Sequence, residues 1–294
     1  MRATRVVRRL TMAAMAVTVA GGALALPASA SARPSHPAVM AALGDSYSSG
    51  EGNPPYDPAA EDCHRSATAW PLLAAAELRW RVTNLACSGA KTTAVVGSFK
   101  GQLAQAEALA ELRPRPRVVT ITIGGNDAGF ANVIGACFTM GIDCASAGIV
   151  AAAEARIRTV LPGLLADAYR AVEAAAPRAQ LVVVGYPRLL PAEQSAVTRC
   201  GSLLTDDERR ALNEAADLLN GVIAEEARLA GAVYVDVSGT LAGHELCTSD
   251  SWLVPLTEPG GAHPNLEGQT AIADRVAEVV GRALHGAGRF RLHS

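Results

Sequence analysis

The chain has 294 residues, of which 50% are hydrophobic and 18% are charged, and this balance excludes a disordered chain. Its formal net charge is −2 at pH 7, and no basic block lies beyond the N-terminus, so we expect no nucleic-acid partner. The length suits one large α/β domain or two small ones.

The N-terminus has the pattern of a secretory signal peptide. Four arginines and no acidic residue lie within the first nine residues, followed by an apolar run from Leu10 to Pro27 and by Ala-Ser-Ala cleavage sites. The run is rich in alanine and glycine and is short for a membrane span of about 20 residues. We therefore expect residues 1–32 to be cleaved, 33–294 to form a single domain, and the protein to be secreted and extracellular, without stable membrane insertion. The Arg8-Arg9 pair leaves twin-arginine export open.

Strands and helices alternate along the rest of the chain. Short apolar or β-branched runs predict strands at 38–43, 82–86, 118–123, 181–184 and 232–237. Alanine- and leucine-rich segments predict helices at 70–78, 101–112, 149–176, 204–229 and 266–284. Thr205 and Glu208 form a capping-box pattern, and Asn265 is a candidate N-cap. This alternation predicts a parallel sheet covered by helices on both faces.

The cysteine count predicts disulfide bonds. An even number of cysteines in a secreted chain is typical of a disulfide framework, and six cysteines allow 15 pairings. The simplest scheme joins neighbours in the sequence, as Cys63–Cys87, Cys137–Cys144 and Cys200–Cys247. Because there is no Cys-x-x-Cys motif and no histidine pair at ligand spacing, we expect no metal site.

Four segments carry residues suited to catalysis at the carboxyl ends of the strands, where parallel sheets place their sites. Ser46 follows the first strand after a Gly-Asp pair, as a candidate nucleophile. The backbone N–H of Gly89 and the side-chain amide of Asn126 are candidate donors to an oxyanion. His263, just before the last helix, is a candidate general base. Each residue alone also fits an ordinary loop, turn or surface position.

Together these segments resemble the four sequence blocks of the SGNH (GDSL) hydrolases. The resemblance rests on Gly44-Asp45-Ser46, Gly89, Gly124-Gly125-Asn126-Asp127 and His263, and it is closer still to the secreted actinobacterial lipases and esterases of that family through 44–52, 63–66 and 84–89. It implies an α/β fold, a three-layer α/β/α sandwich of flavodoxin-like type with a parallel five-stranded sheet. It also implies Ser46 as nucleophile, His263 as base, and an oxyanion hole formed by the N–H groups of Ser46 and Gly89 with the Asn126 side chain.

The resemblance implies a secreted serine hydrolase that cleaves carboxylic esters of lipids through an acyl-enzyme on Ser46. A triacylglycerol lipase or esterase is the first interpretation, and a phospholipase A1 is the alternative with the same chemistry. The substrate partner would be a lipid or a small ester, with no cofactor, and we expect a monomer. A catalytically inactive binding protein is the non-enzymatic alternative, but it would be expected to lack a site residue, and all four are present.

One element of the family pattern is missing. The family usually has an aspartate three residues before the histidine, and here that position is Gly260. We therefore expect a backbone carbonyl, from Gly260 or Gly261, to orient the His263 ring. The competing hypothesis is that Glu258 or Asp250 folds back to act as the acid.

Overall fold

Five strands form the central sheet of the computed structural model, which describes residues 37–139, 143–193 and 204–290. The strands are β1 (Val39–Gly44), β2 (Arg81–Asn84), β3 (Val118–Thr122), β4 (Gln180–Val184) and β5 (Val233–Val235). The helices are α1 (Ser46–Ser49), α2 (Trp70–Glu77), α3 (Thr92–Val96), α4 (Gln105–Glu111), α5 (Gly125–Ala128), α6 (Phe130–Thr139), α7 (Ile149–Thr159), α8 (Leu161–Ala175), α9 (Asp206–Leu229) and α10 (Leu266–Phe290). A 3₁₀ helix spans Pro58–Cys63.

All five strands are parallel, in the order β2-β1-β3-β4-β5. This is the doubly wound order of flavodoxin-like folds, which opens a crevice at the carboxyl edge between β1 and β3, where the winding direction reverses. The predicted fold class is therefore confirmed. The predicted signal peptide lies outside the described residues, and the domain limits at 33–294 stay a prediction.

Helices cover both faces of the sheet, because each strand alternates apolar side chains between two buried surfaces. Met40, Val118 and Val182 pack on one face with α2 and α10. Ala41 and Val119 belong to the core on the opposite face, together with residues of α3, α4, α8 and α9. The sandwich therefore has the three layers that the family resemblance implies.

The helix predicted over 149–176 is wrong as a single element. The structure has two helices, α7 and α8, which meet at Val160. Pro162 lies in the first turn of α8, where its missing N–H is tolerated, whereas it would interrupt a continuous helix. The predicted ends at Thr205 and Asn265 are confirmed: Thr205 and Glu208 form the capping box, and Asn265 accepts a hydrogen bond from the N–H of Gly268 at 3.1 Å.

Two of the three predicted disulfides lie wholly within the described residues, and both are present, as Cys63–Cys87 and Cys137–Cys144. Cys247 is also disulfide-bonded, but Cys200, its predicted partner, lies outside the described residues, so this pairing stays a prediction. In the described part of the chain, no helix is both long enough and apolar enough to cross a membrane.

Gly44 allows β1 and β3 to approach closely just below the site. Its φ is +125°, and a Cβ atom there would lie 2.3 Å from the carbonyl oxygen of Thr122. The side chain of Gln105 holds the same residue by donating to its carbonyl and accepting from its N–H, both at 2.8 Å. The N–H of Asp45 donates to the carbonyl of Thr122 at 3.0 Å, so the two backbones cannot separate here without breaking hydrogen bonds.

We predict that Gly44→Ala lowers the free energy of unfolding by about 2–4 kcal/mol, because it combines an unfavourable φ with a backbone clash. Gly231→Ala is the matched control, since Gly231 also has a positive φ, of +67°, but has open space around it. The control should cost only the dihedral strain of about 1–2 kcal/mol. Urea unfolding measures both, and equal losses in the two variants would contradict the clash.

Candidate active site

Ser46 stands at the carboxyl edge of the sheet, as the first residue of α1 and two residues after the end of β1. The Asp45 side chain accepts a hydrogen bond from the N–H of Tyr47 and so caps this short turn. The Oγ of Ser46 lies 2.8 Å from Nε2 of His263. The geometry therefore pairs the predicted nucleophile with the predicted base.

A backbone carbonyl faces the other nitrogen of the His263 ring. Nδ1 lies 3.0 Å from the oxygen of Gly260, one of the two carbonyls expected from the sequence. The competing carboxylates lie elsewhere: Glu258 is exposed, and the Asp250 side chain pairs with His244. Because a carbonyl can only accept, Nδ1 is assigned as the protonated nitrogen, which leaves the lone pair of Nε2 directed at Ser46.

Burial lowers the pKa of His263 below its usual value of 6.5. Hydrogen bonding to the carbonyls of Gly260 and Gly261 and the negative charge of Glu51 oppose this shift without cancelling it. The imidazole is therefore mostly neutral at pH 7, as a general base requires.

Tyr47 is a site residue that sequence reasoning missed. Its hydroxyl donates to the carbonyl of Ala262 at 3.0 Å, and its ring centroid lies 5.1 Å from that of His263. Ala262 has a φ of +66°, which an alanine rarely adopts, so the hydrogen bond helps to hold a strained turn. Tyr47 thus links the Ser46 turn to the His263 loop. An aromatic residue directly after the candidate nucleophile was the only signal for it in the sequence.

The three predicted oxyanion donors meet at the same edge. Within the described residues, the N–H groups of Ser46 and Gly89 donate to no protein acceptor, which leaves both free for a ligand. The side-chain amide of Asn126 donates one hydrogen bond to the carbonyl of Ala90 at 2.9 Å, and its second N–H can donate to a ligand. Thr92 donates twice to Asp127, from its N–H and its hydroxyl, and so ties the Gly89 loop to α5.

A buried tyrosine connects the strand end of Ser46 to that of Asn126. The hydroxyl of Tyr186 donates to the carboxyl of Asp45 at 2.5 Å and accepts from the N–H of Gly125 at 2.9 Å. Burial raises the pKa of Asp45 to about 7, against the opposing effect of the hydrogen bonds from Tyr186 and the N–H of Tyr47. Sequence reasoning missed Tyr186, which lies far from both partners along the chain.

A cavity of about 350 Å³ opens beside Ser46 and contains Gly89, Asn126 and His263 in its wall. The structure therefore brings all four predicted site residues to one place. The rest of the wall is largely apolar and includes Phe130, Ile134, Phe138, Leu189, Leu219 and Leu256. Among the described residues, no group of three or more His, Cys, Asp and Glu side chains is arranged to hold a metal ion.

We predict that Asp45 makes folding stability depend on pH. Between its unfolded pKa near 3.8 and its folded pKa of about 7, the folded protein holds a proton that the unfolded chain has released. The free energy of unfolding should therefore fall as the pH rises through this window, by roughly 4 kcal/mol at most. Asp45→Asn cannot titrate and should flatten this slope. Urea unfolding from pH 4.5 to 7.5 measures it, and parallel slopes would contradict the assignment.

A serine hydroxyl against a neutral imidazole, beside unpaired N–H groups, is the arrangement of a serine hydrolase. The GDSL-like Lipase/Acylhydrolase family matches residues 42–271, and the chain belongs to this family. It is therefore an ester hydrolase.

The relatives found by sequence include lipases of Streptomyces. A lipase of Streptomyces rimosus is 40% identical over 248 residues, which cover 82% of this chain and 87% of that protein. Lipase 1 of Streptomyces coelicolor is 38% identical over 261 residues, which cover 86% and 91%.

The solved structures that are similar over most of the chain include two proteins of Streptomyces. The extracellular lipase of Streptomyces rimosus has a TM-score of 0.72 and 37% identity, and phospholipase A1 of Streptomyces albidoflavus NA297 has a TM-score of 0.70 and 38% identity. Each comparison covers 84% of this chain and 99% of the other chain.

Proposed function

We propose that the protein is a secreted serine hydrolase that cleaves carboxylic esters of lipids through an acyl-enzyme on Ser46. The observation that carries this proposal is the 2.8 Å contact between Ser46 Oγ and His263 Nε2, beside a largely apolar cavity. A serine hydroxyl is a weak nucleophile until a base removes its proton, and His263 is the proposed base.

The proposed cycle has two halves. Ser46 Oγ attacks the ester carbonyl carbon as its proton passes to Nε2 of His263, and the carbonyl oxygen becomes an oxyanion facing the N–H groups of Ser46 and Gly89 and the Asn126 amide. Collapse of this intermediate releases the alcohol, which takes the proton from His263, and leaves the acyl group on Ser46. Water, deprotonated by His263, then attacks the acyl-enzyme. Collapse of this second intermediate breaks the bond between the acyl carbon and Ser46 Oγ, returns the proton from His263 to Oγ and releases the fatty acid.

In this proposal Ser46 and His263 act as a catalytic dyad, and a neutral backbone carbonyl orients the His263 ring. The Gly260 carbonyl keeps the proton on Nδ1, so that Nε2 faces the nucleophile in its accepting form. A carbonyl stabilises the developing imidazolium less than a carboxylate would. This fits a His263 pKa that lies below 6.5 rather than above it.

The proposed substrate is a lipid ester with an apolar acyl chain. The aromatic and aliphatic residues of the cavity offer a surface for a fatty acyl group next to Ser46. Triacylglycerol or a simple ester is the first candidate. Glycerophospholipid is the second, favoured by the similarity to a phospholipase A1 at 38% identity.

Secretion is the remaining part of the proposal. Two disulfides within the described residues fit an oxidising compartment, and one similar structure is that of an extracellular lipase. The signal-peptide pattern of residues 1–32 provides the route.

We predict that Ser46→Ala abolishes hydrolysis of short nitrophenyl esters, emulsified triglyceride and phosphatidylcholine while the fold is retained. The wild-type protein should be labelled at Ser46 by an organophosphate, which peptide mass spectrometry can locate. The wild-type rates on the same three substrates rank the lipase and phospholipase alternatives. Turnover by purified, folded Ser46→Ala protein would disprove the proposed function.

We predict that the acidic limb of the pH dependence of kcat/KM lies below pH 6.5, because burial lowers the pKa of His263. Protonation of the ring removes the base. Activity is therefore lost as the pH falls through that pKa, and full activity is expected above it. Glu258→Gln and Asp250→Asn should leave both the rate and this limb almost unchanged. A loss of about 10³–10⁴ in kcat for either variant, as for removal of a triad acid, would refute the dyad.

A further inference from the structure

Lys100 is hydrogen-bonded to the Ser88–Gly89 peptide group, which supplies one of the proposed oxyanion donors. Its Nζ donates to the carbonyl oxygen of Ser88 at 2.8 Å and to that of Asp62 at 2.9 Å. The Ser88 carbonyl and the Gly89 N–H belong to the same planar peptide unit. An ammonium group therefore binds one end of the unit whose other end faces the cavity.

Such a bond changes the donor strength of the N–H. A cation at the carbonyl oxygen draws electron density along the conjugated amide, and hydrogen bonds in series strengthen one another by roughly 10–30%. The bond also fixes the rotation of the peptide plane. The peptide lies in a turn that is closed by the bond from the N–H of Ala90 to the carbonyl of Cys87 at 3.0 Å, with a φ of +80° at Gly89.

The backbone around Lys100 is unfavourable for a lysine. Phe99 and Gln102 exchange backbone hydrogen bonds across a tight turn, with φ of 46° at Lys100 and 72° at Gly101. Turns with two positive φ values prefer asparagine or glycine at the first central position. An uncommon residue under strain calls for a compensating role of its side chain. Here the turn brings Nζ to 3.9 Å from the position of a Cβ on Gly89.

We propose that Lys100 is a positioning residue that orients and polarises the Ser88–Gly89 peptide, so that the Gly89 N–H stabilises the oxyanion more strongly. The inference rests on the proposed function, and in particular on the use of the Gly89 N–H in the oxyanion hole. Lys100 does not itself touch the reacting atoms in this scheme.

Other contacts hold the same loop, so removal of the Lys100 charge should not unfold it. The Cys63–Cys87 disulfide anchors the loop, and the N–H of Ser88 donates to the carbonyl of Cys63. Arg65 adds a bond from Nε to the carbonyl of Ala86 at 2.8 Å. These contacts separate the effect on catalysis from an effect on the fold.

The chain offers a matched control. It contains two lysines, Lys91 and Lys100, and both lie close to Gly89 in the sequence. Lys91 is exposed and precedes α3 without a side-chain capping bond. Lys91→Met therefore removes the same charge from the same region without removing a bond to the Ser88 carbonyl.

The experiment compares Lys100→Met, Lys100→Arg and Lys91→Met with the wild type, on a neutral nitrophenyl ester and on phosphatidylcholine. Lys100→Met should lower kcat roughly 3- to 10-fold on both substrates with little change in KM, a fraction of the 10²–10³-fold loss on removal of a whole oxyanion donor. Lys100→Arg should recover most of the rate, and Lys91→Met should match the wild type.

Inhibition by an alkylboronic acid separates positioning from a structural role. Its tetrahedral adduct on Ser46 places an oxygen in the oxyanion hole, so its affinity should fall in Lys100→Met in parallel with kcat. Lys100→Gln is a second neutral variant for the same measurement if the methionine variant does not fold.

Several outcomes would overturn the role of Lys100. The first is a loss of rate confined to phosphatidylcholine, which would indicate that Lys100 binds the headgroup. The others are an effect on KM alone, an unchanged boronate affinity in Lys100→Met, and an equal loss of rate in Lys91→Met. None of these outcomes affects the proposed function, which is tested separately by the loss of turnover in Ser46→Ala and by organophosphate labelling of Ser46.

Discussion

The contact between Ser46 and His263 joins residues that lie 217 positions apart, and most of the site depends on holding it at 2.8 Å. The Ser46 turn is fixed by the close approach of β1 and β3 at Gly44, where the backbones leave no room for a Cβ. The His263 loop is held by the side chain of Tyr47, the residue after Ser46, and by a backbone hydrogen bond from Val254 to the carbonyl of His263 at 2.9 Å. The sheet therefore positions the proposed nucleophile, and the residue after it helps to position the proposed base.

Buried polar groups supply this rigidity, but they lower the free energy of unfolding at pH values where a buried carboxyl would ionise. Asp45 and Tyr186 lie in a region where an ionised carboxyl is poorly solvated, which is why the pKa of Asp45 rises to about 7. The hydrogen bonds through the Tyr186 hydroxyl still connect the strand ends that carry Ser46 and Asn126. Such networks at functional sites trade stability for a defined geometry.

The sequence predicted what depends on local pattern and on short motifs. The strands follow from short apolar or β-branched runs, and the candidate site residues follow from their positions after strands or before the last helix, namely Ser46, Gly89, Asn126 and His263. Tyr186 and Lys100 could not be found in this way, because their partners come from distant segments that only the folded chain brings together. The break between α7 and α8 is different, since Pro162 was a visible signal that an interior proline interrupts a helix.

The neutral partner of His263 changes where catalytic stabilisation must come from. A carboxylate at Nδ1 would stabilise the imidazolium as it forms, whereas the Gly260 carbonyl does so more weakly, and burial opposes the charge further. More of the stabilisation of the transition state must then come from groups that stabilise the negative charge on the substrate oxygen. We propose that the N–H groups of Ser46 and Gly89, which have no acceptor in the described part of the chain, supply it, with the Lys100 ammonium on the far side of the Gly89 peptide. In this proposal, the absence of an acid at Nδ1 and the lysine behind the proposed oxyanion hole are related: the second offsets the first electrostatically.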